Sequence, residues 1–303
     1  MKEMWDVIIV GAGPAGLNAA LVLGRCRRRL LVCDTGKPRN AASRGLHGFL
    51  TRDGIAPQEL LAIGREQLGK YPTIEFRPVE VIDAKRNEHG FEILQRDGGR
   101  AACRKLILAT GLIDKLPEVS GIEEFYGRSV FHCPYCDGWE MRDEPLAVYG
   151  HGHLGRDLAL ELTLWSRDIV LCTNGEPKAD RNSLDRLERN GIRMRHERIT
   201  CLEGKDGVLQ RISFENGPTL SRRAMFFRTW QYQRSSLPEK LGCAMTAEGE
   251  VDTGKYEVSN VPGLFVAGNA STSVLQLSIV AAAEGAEAAF AINQALLKED
   301  LNQ

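Results

Sequence analysis

At 303 residues, with 43% hydrophobic and 26% charged side chains, the chain has the composition of a globular protein and the length of about two domains. Its 39 Lys and Arg balance 40 Asp and Glu to a net charge of -1, which argues against a nucleic-acid binder, whose affinity comes from clustered positive charge. Eight Cys are too few for a secreted disulfide scaffold. Met1 to Trp5 lack the basic-then-apolar pattern of a signal peptide. The longest apolar candidate, Ser278 to Ile292, is broken by Glu284 and Glu287, so no membrane span is expected. These features predict a cytoplasmic protein in a reducing compartment.

The chain opens on a buried-strand pattern, Asp6 to Val10, that runs into the turn Gly11-Ala-Gly-Pro-Ala-Gly16. A helix from Leu17 to Arg25 follows, then a second apolar strand from Leu30 to Cys33, ending at Asp34. Strand, glycine turn, helix and strand within about 30 residues make a βαβ unit. The basic cluster Arg25, Arg27, Arg28 and Arg29 sits at the helix end and reads as a solvated face. A helix is expected over Pro57 to Leu68 and strands over Ile74 to Gln95, with a turn at Asn87 to Gly90. Lys105 to Leu108 reads as a strand ending in the small-residue turn Ala109-Thr110-Gly111. The opening pattern then returns as Leu146 to Tyr149, Gly150-His-Gly-His-Leu-Gly155, a helix to about Trp165 and a strand over Asp168 to Cys172. A further β pattern covers Val208 to Phe214. A strand over Gly263 to Ala267 leads to Gly268-Asn269 and a long Ala-rich helix from about Leu277.

In the first turn, Gly11 permits the bend, Gly13 lets a pyrophosphate approach the backbone, and Gly16 lets helix and strand pack closely. The phosphates would meet unpaired N–H groups at the helix start. Asp34, about 18 residues past Gly16, stands where a carboxylate accepts from ribose hydroxyls and repels a 2′-phosphate. Gly150, Gly152 and Gly155 repeat the spacing, but Thr173-Asn174-Gly175 after the second strand offers neither an acid nor an arginine pair. Lys178 and Arg181 follow as a basic helix start.

Among the cysteines, only Cys133 and Cys136 form a Cys-x-x-Cys pair, in His132-Cys-Pro-Tyr-Cys-Asp137. Two thiols at this spacing can close a small disulfide ring, and Asp137 beside the second can exchange a proton during disulfide exchange. A zinc site would need two further ligands; His132, His151 and His153 are present but no second Cys-x-x-Cys, and no metal is expected. Cys26, Cys33, Cys103, Cys172, Cys201 and Cys243 read as buried and inert.

Together these blocks resemble the low-molecular-weight thioredoxin reductases and their thioredoxin-reductase-like relatives over nearly the whole chain. The resemblance rests on Gly11 to Gly16, Ala109-Thr110-Gly111, Cys133 to Gly138, and Gly263 to Gly285. It implies an α/β fold of two Rossmann-like, three-layer ββα dinucleotide-binding domains, one inserted into the other. The FAD domain would comprise 1–113 and 229–303, and the NAD(P)-binding-like domain, 114–228, would carry the dithiol. By resemblance, FAD is held by Gly11, Gly13, Pro14, Ala15, Gly16, Asp34, Thr35, Asn40, His47, Val81, Ala109, Thr110, Gly111, Gly268, Asn269, Gln276 and Leu277. The last two would lie at the flavin pyrimidine edge. Cys136 would face the flavin, Cys133 would attack the substrate disulfide, and Asp137 would be the acid–base partner. The second nucleotide turn, Gly150, Gly152, His153, Leu154 and Gly155, would take NAD(P)H or a second flavin nucleotide. The family is homodimeric, which implies a homodimer here.

Three departures qualify this picture. Thr173-Asn174-Gly175 replaces the family's His-Arg-Arg grip on the NADPH 2′-phosphate, so an electron donor other than ordinary NADPH is expected, including an electron-donor protein. Asn269 stands for an Asp on FAD, and Leu275 for an Arg before Gln276. The expected activity is FAD-dependent thiol–disulfide exchange on a protein or small-molecule disulfide or dithiol. The alternatives are a dithiol oxidase that passes electrons to oxygen, which the Cys-Pro-Tyr-Cys text also resembles, and a flavin-binding redox sensor.

Overall fold

The computed structural model describes residues 4–176, 181–272 and 275–302; Lys178, noted above, lies outside them. In chain order the first elements are β1 (Met4–Val10), α1 (Pro14–Arg25), β2 (Leu30–Cys33), α2 (Pro57–Leu68), β3 (Ile74–Arg77), β4 (Val81–Asn87), β5 (Gly90–Gln95), β6 (Arg100–Leu108) and β7 (Leu112–Lys115). The chain continues through α3 (Ile122–Phe125), β8 (Val130–Phe131), α4 (Pro134–Asp137), β9 (Leu146–Tyr149), α5 (Gly152–Glu161), β10 (Ile169–Cys172), α6 (Arg181–Arg189) and β11 (Arg193–Arg195). It ends with β12 (Ile199–Lys205), β13 (Val208–Phe214), β14 (Leu220–Ser221), β15 (Ala224–Phe227), β16 (Trp230–Gln233), α7 (Leu237–Lys240), β17 (Leu264–Val266) and α8 (Ser278–Leu301). Residues 1–41, 49–113 and 231–303 form one compact unit; residues 42–48 and 114–230 form a second. The chain crosses between them within β7 and β16, which pair with each other.

In the first unit, β3, β2, β1, β6 and β17 run parallel. β6 serves two partners on one side. Its first residues pair antiparallel with β5, Phe91 opposite Cys103, and its last pair with β17, Leu264 opposite Leu106. The β4–β5 hairpin therefore leaves the parallel sheet and forms a layer of its own. Alternation along the strands feeds two cores. Val7, Ile9, Leu30, Val32, Ile107 and Phe265 face α1, α2 and α8, whereas Ile8, Val10, Leu31, Leu106 and Val266 pack on Phe91 and Ile93 of the hairpin. Burial on both faces explains why these strands read as unbroken apolar runs.

α1 and α8 lie directly against each other. A Cβ on Gly285 would sit 2.0 Å from the Ala15 carbonyl oxygen, and Asn18 Nδ2 donates to Ala282 O at 2.6 Å. The far end of α8 is held by ion pairs: Arg28 and Arg104 reach Asp300, and Arg104 and Lys105 reach Glu299. This corrects the reading of the basic cluster as a solvated face. Arg25 and Arg27 are exposed, but Arg28 binds α8 through Asn293 and Asp300, and Arg29 lies over the Trp5 ring at 4.6 Å.

The second unit repeats the plan. β11, β10, β9, β15 and β8 form a parallel sheet, with β12, β13 and β14 as an antiparallel layer on one face and α5 on the other. Residues 42–48 are held here: a Cβ on Gly127 would lie 2.6 Å from Ala42, and Arg44 Nη2 donates to Asp206 O at 3.1 Å. Among the described residues, no helix is long and apolar enough to cross a membrane.

The contact at Gly285 yields a prediction. Gly285→Ala forces α8 off α1 and is expected to destabilise the first unit by about 2 kcal/mol. Denaturant unfolding checks this, and a midpoint equal to the parent's would refute it.

Candidate active site

The first glycine turn is built by contact. Gly11 has φ of 101°, and its Cβ would lie 2.3 Å from the Ala109 carbonyl oxygen; a Cβ on Gly16 would lie 1.9 Å from that of Gly11. Gly13 differs, since its Cβ would meet nothing within 4 Å. Open space at Gly13, beside the Pro14-led start of α1, is the approach a pyrophosphate needs. Gly111 likewise faces open space at φ of 69°. Between them, Thr110 Oγ1 is buried and has no hydrogen-bond partner. An unpartnered buried hydroxyl costs about 1–3 kcal/mol unless a ligand completes it. These residues fit a bound dinucleotide.

Asp34 does more than expected. Its Oδ1 accepts from Ala12 N–H at 3.0 Å, bracing the glycine turn, and its Oδ2 accepts from Gly36 N–H and from Arg65 Nη2 at 2.7 Å. A carboxylate has about four acceptor positions, so ribose contact remains compatible with these bonds. Thr35 is exposed, Asn40 half-buried, and Val81 packs its side chain in the core under the hairpin. Ala109, Gly268 and Ala15 are buried together with the α1–α8 contact, the Cβ position of Gly268 lying 3.0 Å from Ala15 Cβ. Gly268 N–H donates to Glu284 Oε2 at 2.7 Å, and Asn269 follows, half-buried. Gln276, just before α8 with Leu277 as its N-cap residue, is locked by neighbours. It exchanges two amide hydrogen bonds with Gln231, and Arg39 Nη1 donates to its Oε1 at 2.8 Å. Arg39, Arg65, Gln231 and Glu284 carried no sequence signal, because their roles arise from contacts between distant segments.

The second turn has the same core: a Cβ on Gly150 would lie 2.7 Å from Gly155 Cα, and Gly152 faces open space. His153 and Leu154 are exposed on the first turn of α5. The segment after β10 is turned inward. Thr173 is buried, its hydroxyl 2.9 Å from His196 Nδ1, and Asn174 Oδ1 accepts from Ile199 N–H at 2.8 Å. Both side chains are committed to the fold.

In the second unit, Cys133 and Cys136 form a disulfide with Cα atoms 5.3 Å apart. Cys133 caps α4, Pro134 sets the first helical φ, and Cys136 N–H donates to Cys133 Sγ at 3.1 Å. Gly138 allows the motif to close, because a Cβ there would lie 2.5 Å from Pro134 O and 2.8 Å from the Trp165 ring. Tyr135 and Trp139 are exposed on either side of it. Asp137 is pushed up to about 7, chiefly by burial and further by the Glu140 carboxylate. His47, expected from the resemblance among the flavin contacts, lies in the second unit with Nε2 3.5 Å from Glu140 Oε1.

The other cysteines divide. Burial pushes Cys33 up to about 11 and Cys103 and Cys172 to about 12, and Cys243 is also raised. Cys26 is exposed at the end of α1 and Cys201 half-buried, which corrects the expectation that all six are buried; chain ends and strand edges leave one side open.

Residues 5–285 match the family described as pyridine nucleotide-disulphide oxidoreductase. The chain is 30% identical, over 98% of its length and 82% of the relative's, to a protein of Arthroderma benhamiae described as a probable thioredoxin reductase. It is 32% identical to a thioredoxin reductase of Claviceps purpurea, over 87% of this chain and 86% of that one. An oxidoreductase from Agrobacterium tumefaciens, at 33% identity, superposes with a TM-score of 0.91 over 97% of this chain and 99% of that one.

Thr110→Val removes the unpartnered hydroxyl. It should leave the ligand-free protein equally or more stable, and it should weaken retention of a bound flavin about tenfold, the worth of one hydrogen bond. Flavin release on dilution, read by fluorescence, checks this.

Proposed function

The chain belongs to the pyridine nucleotide-disulphide oxidoreductase family, as a flavoprotein with the thioredoxin reductase-like fold, and from that premise we propose that it exchanges electrons between FAD and the Cys133–Cys136 pair, with an electron donor other than ordinary NADPH. The observation that carries this reading is the Cys133–Cys136 disulfide beside Asp137, held on a short helix within one Rossmann-like unit while the other contains the fitted glycine turn. FAD would be held by Gly11 to Gly16, Asp34, Thr110 and Gly111, with Gln276 and Leu277 at the flavin edge. When bound, it supplies a two-electron carrier.

The protein's own residues perform the exchange. In the reduced pair, the Cys136 N–H directed at Cys133 Sγ favours a thiolate on Cys133. That thiolate attacks the substrate disulfide, forming a mixed disulfide and releasing one substrate thiolate. Cys136 then attacks Cys133 Sγ, restoring the ring and releasing the second thiolate, so two electrons pass to the substrate. Asp137, next to Cys136 and half-buried, holds a proton near neutral pH and gives it to a departing thiolate.

Support for the unusual donor comes from the loop after β10. Thr173 and Asn174 are uncharged, and their Oγ1 and Oδ1 atoms bond to His196 and Ile199 within the fold, so neither offers a cation to a 2′-phosphate. A charge-assisted phosphate contact contributes about 1.5–3 kcal/mol, and a site without such contacts loses most of its preference for NADPH. NADH, a donor protein or a second flavin nucleotide would then serve.

Two tests follow. Anaerobic mixing should bleach the flavin absorbance no faster with NADPH than with NADH; rapid bleaching by NADPH alone would overturn the donor assignment. Cys136→Ser should retain FAD and lose dithiol-to-flavin electron transfer. Asp137 is loaded with its proton below about 7 and empty above, so exchange should slow as pH rises through that value. Asp137→Asn should lower the rate about 100-fold and erase that limb, as read in a pH profile.

A further inference from the structure

The segment 42–48 packs on the second unit and delivers His47 to the neighbourhood of the dithiol, where its Nε2 lies 3.5 Å from Glu140 Oε1. Glu140 is three residues after Asp137, in the turn that follows α4. His47 thus meets Glu140, and Glu140 acts on Asp137, the residue next to Cys136. The two arginines nearby are engaged elsewhere. Arg142 lies over the Trp139 ring at 4.3 Å and donates to Trp139 O, and Arg44 donates to Asp206 O. Glu140 is the one charged group that acts appreciably on Asp137 among the described residues, and it acts to keep the proton there.

We infer that Glu140 and His47 are positioning residues that set how firmly Asp137 keeps the proton used in disulfide exchange: Glu140 holds it on, and protonated His47 weakens that hold. Neither touches the reacting sulfurs. The physical basis is the sign of each charge. A carboxylate near Asp137 disfavours a second negative charge, and an imidazolium paired with that carboxylate cancels part of its field. The inference rests on the proposed role of Asp137 as proton donor.

The sign gives a test that a structural role cannot imitate. The reduced holoprotein is mixed anaerobically with hydroxyethyl disulfide, a neutral probe, and the rate of oxidation is followed from about pH 5 to 9, a range that brackets the raised carboxyl of Asp137. Glu140→Gln should move the alkaline limb to lower pH by about half a unit or more, and His47→Gln should move it to higher pH. The double variant should behave as Glu140→Gln, since His47 acts only through that carboxylate, and Glu140→Asp should restore most of the parent's profile. Shifts in the same direction, or a limb unmoved in both single variants, would overturn the inference. If Asp137→Asn keeps the parent's limb, the role given to Asp137 fails, a result separate from either of these.

Discussion

A carbonyl oxygen occupies the place of a side chain in each nucleotide turn, and both units are organised around that contact. In the first, the Gly11 carbonyl fills the space where a Cβ on Gly16 would be, and the Ala109 carbonyl fills the space beside Gly11. β1, α1 and β6 can meet at one point only because those positions carry no side chain. The same helix then accepts α8 because Gly285 lets the Ala15 carbonyl approach. Backbone N–H groups at the start of α1 are left facing open space at Gly13, which is where a pyrophosphate would be received. The second unit repeats this with Gly150 against Gly155 and open space at Gly152.

The two units put this shared geometry to different uses. Around the first turn, polar groups converge without a partner or are oriented by neighbours: Thr110 Oγ1 is unmatched, and Arg39 and Gln231 fix the amide of Gln276. Around the second, the equivalent loop is stitched inward by Thr173 and Asn174. A nucleotide fold can therefore persist where the groups that select its ligand have been committed to packing. Site chemistry and fold are separable in this chain, as they are across α/β proteins generally.

The dithiol segment shows how burial shapes reactivity. Cys33, Cys103 and Cys172 sit in apolar cores, where burial disfavours the thiolate. Cys133 and Cys136 instead cap and form a short, half-exposed helix, with Asp137 half-buried at its end. The carboxyl is kept near neutrality by desolvation and by a neighbouring carboxylate, two effects of the same sign.

Much of this was written in local spacing. Glycines at fixed intervals between apolar runs, an acid at the end of the second strand, and one Cys-x-x-Cys define elements whose chemistry depends on neighbours a few residues away, and α2 spans Pro57–Leu68 as its pattern predicts. What local spacing could not supply are partners from distant segments. Arg39 reaches Gln276 across 237 positions, Arg28 reaches α8, and Arg65 reaches Asp34. The environment of a cysteine or aspartate also escapes composition, because it depends on which segments cover it: Cys26 proved exposed, and partial burial raises Asp137. The sequence by itself determined the two nucleotide folds and singled out the one Cys-x-x-Cys pair, since periodicity and backbone sterics act over short range. Only the tertiary structure decided which polar groups remain free for a ligand, because that is settled by contacts made when separate segments meet.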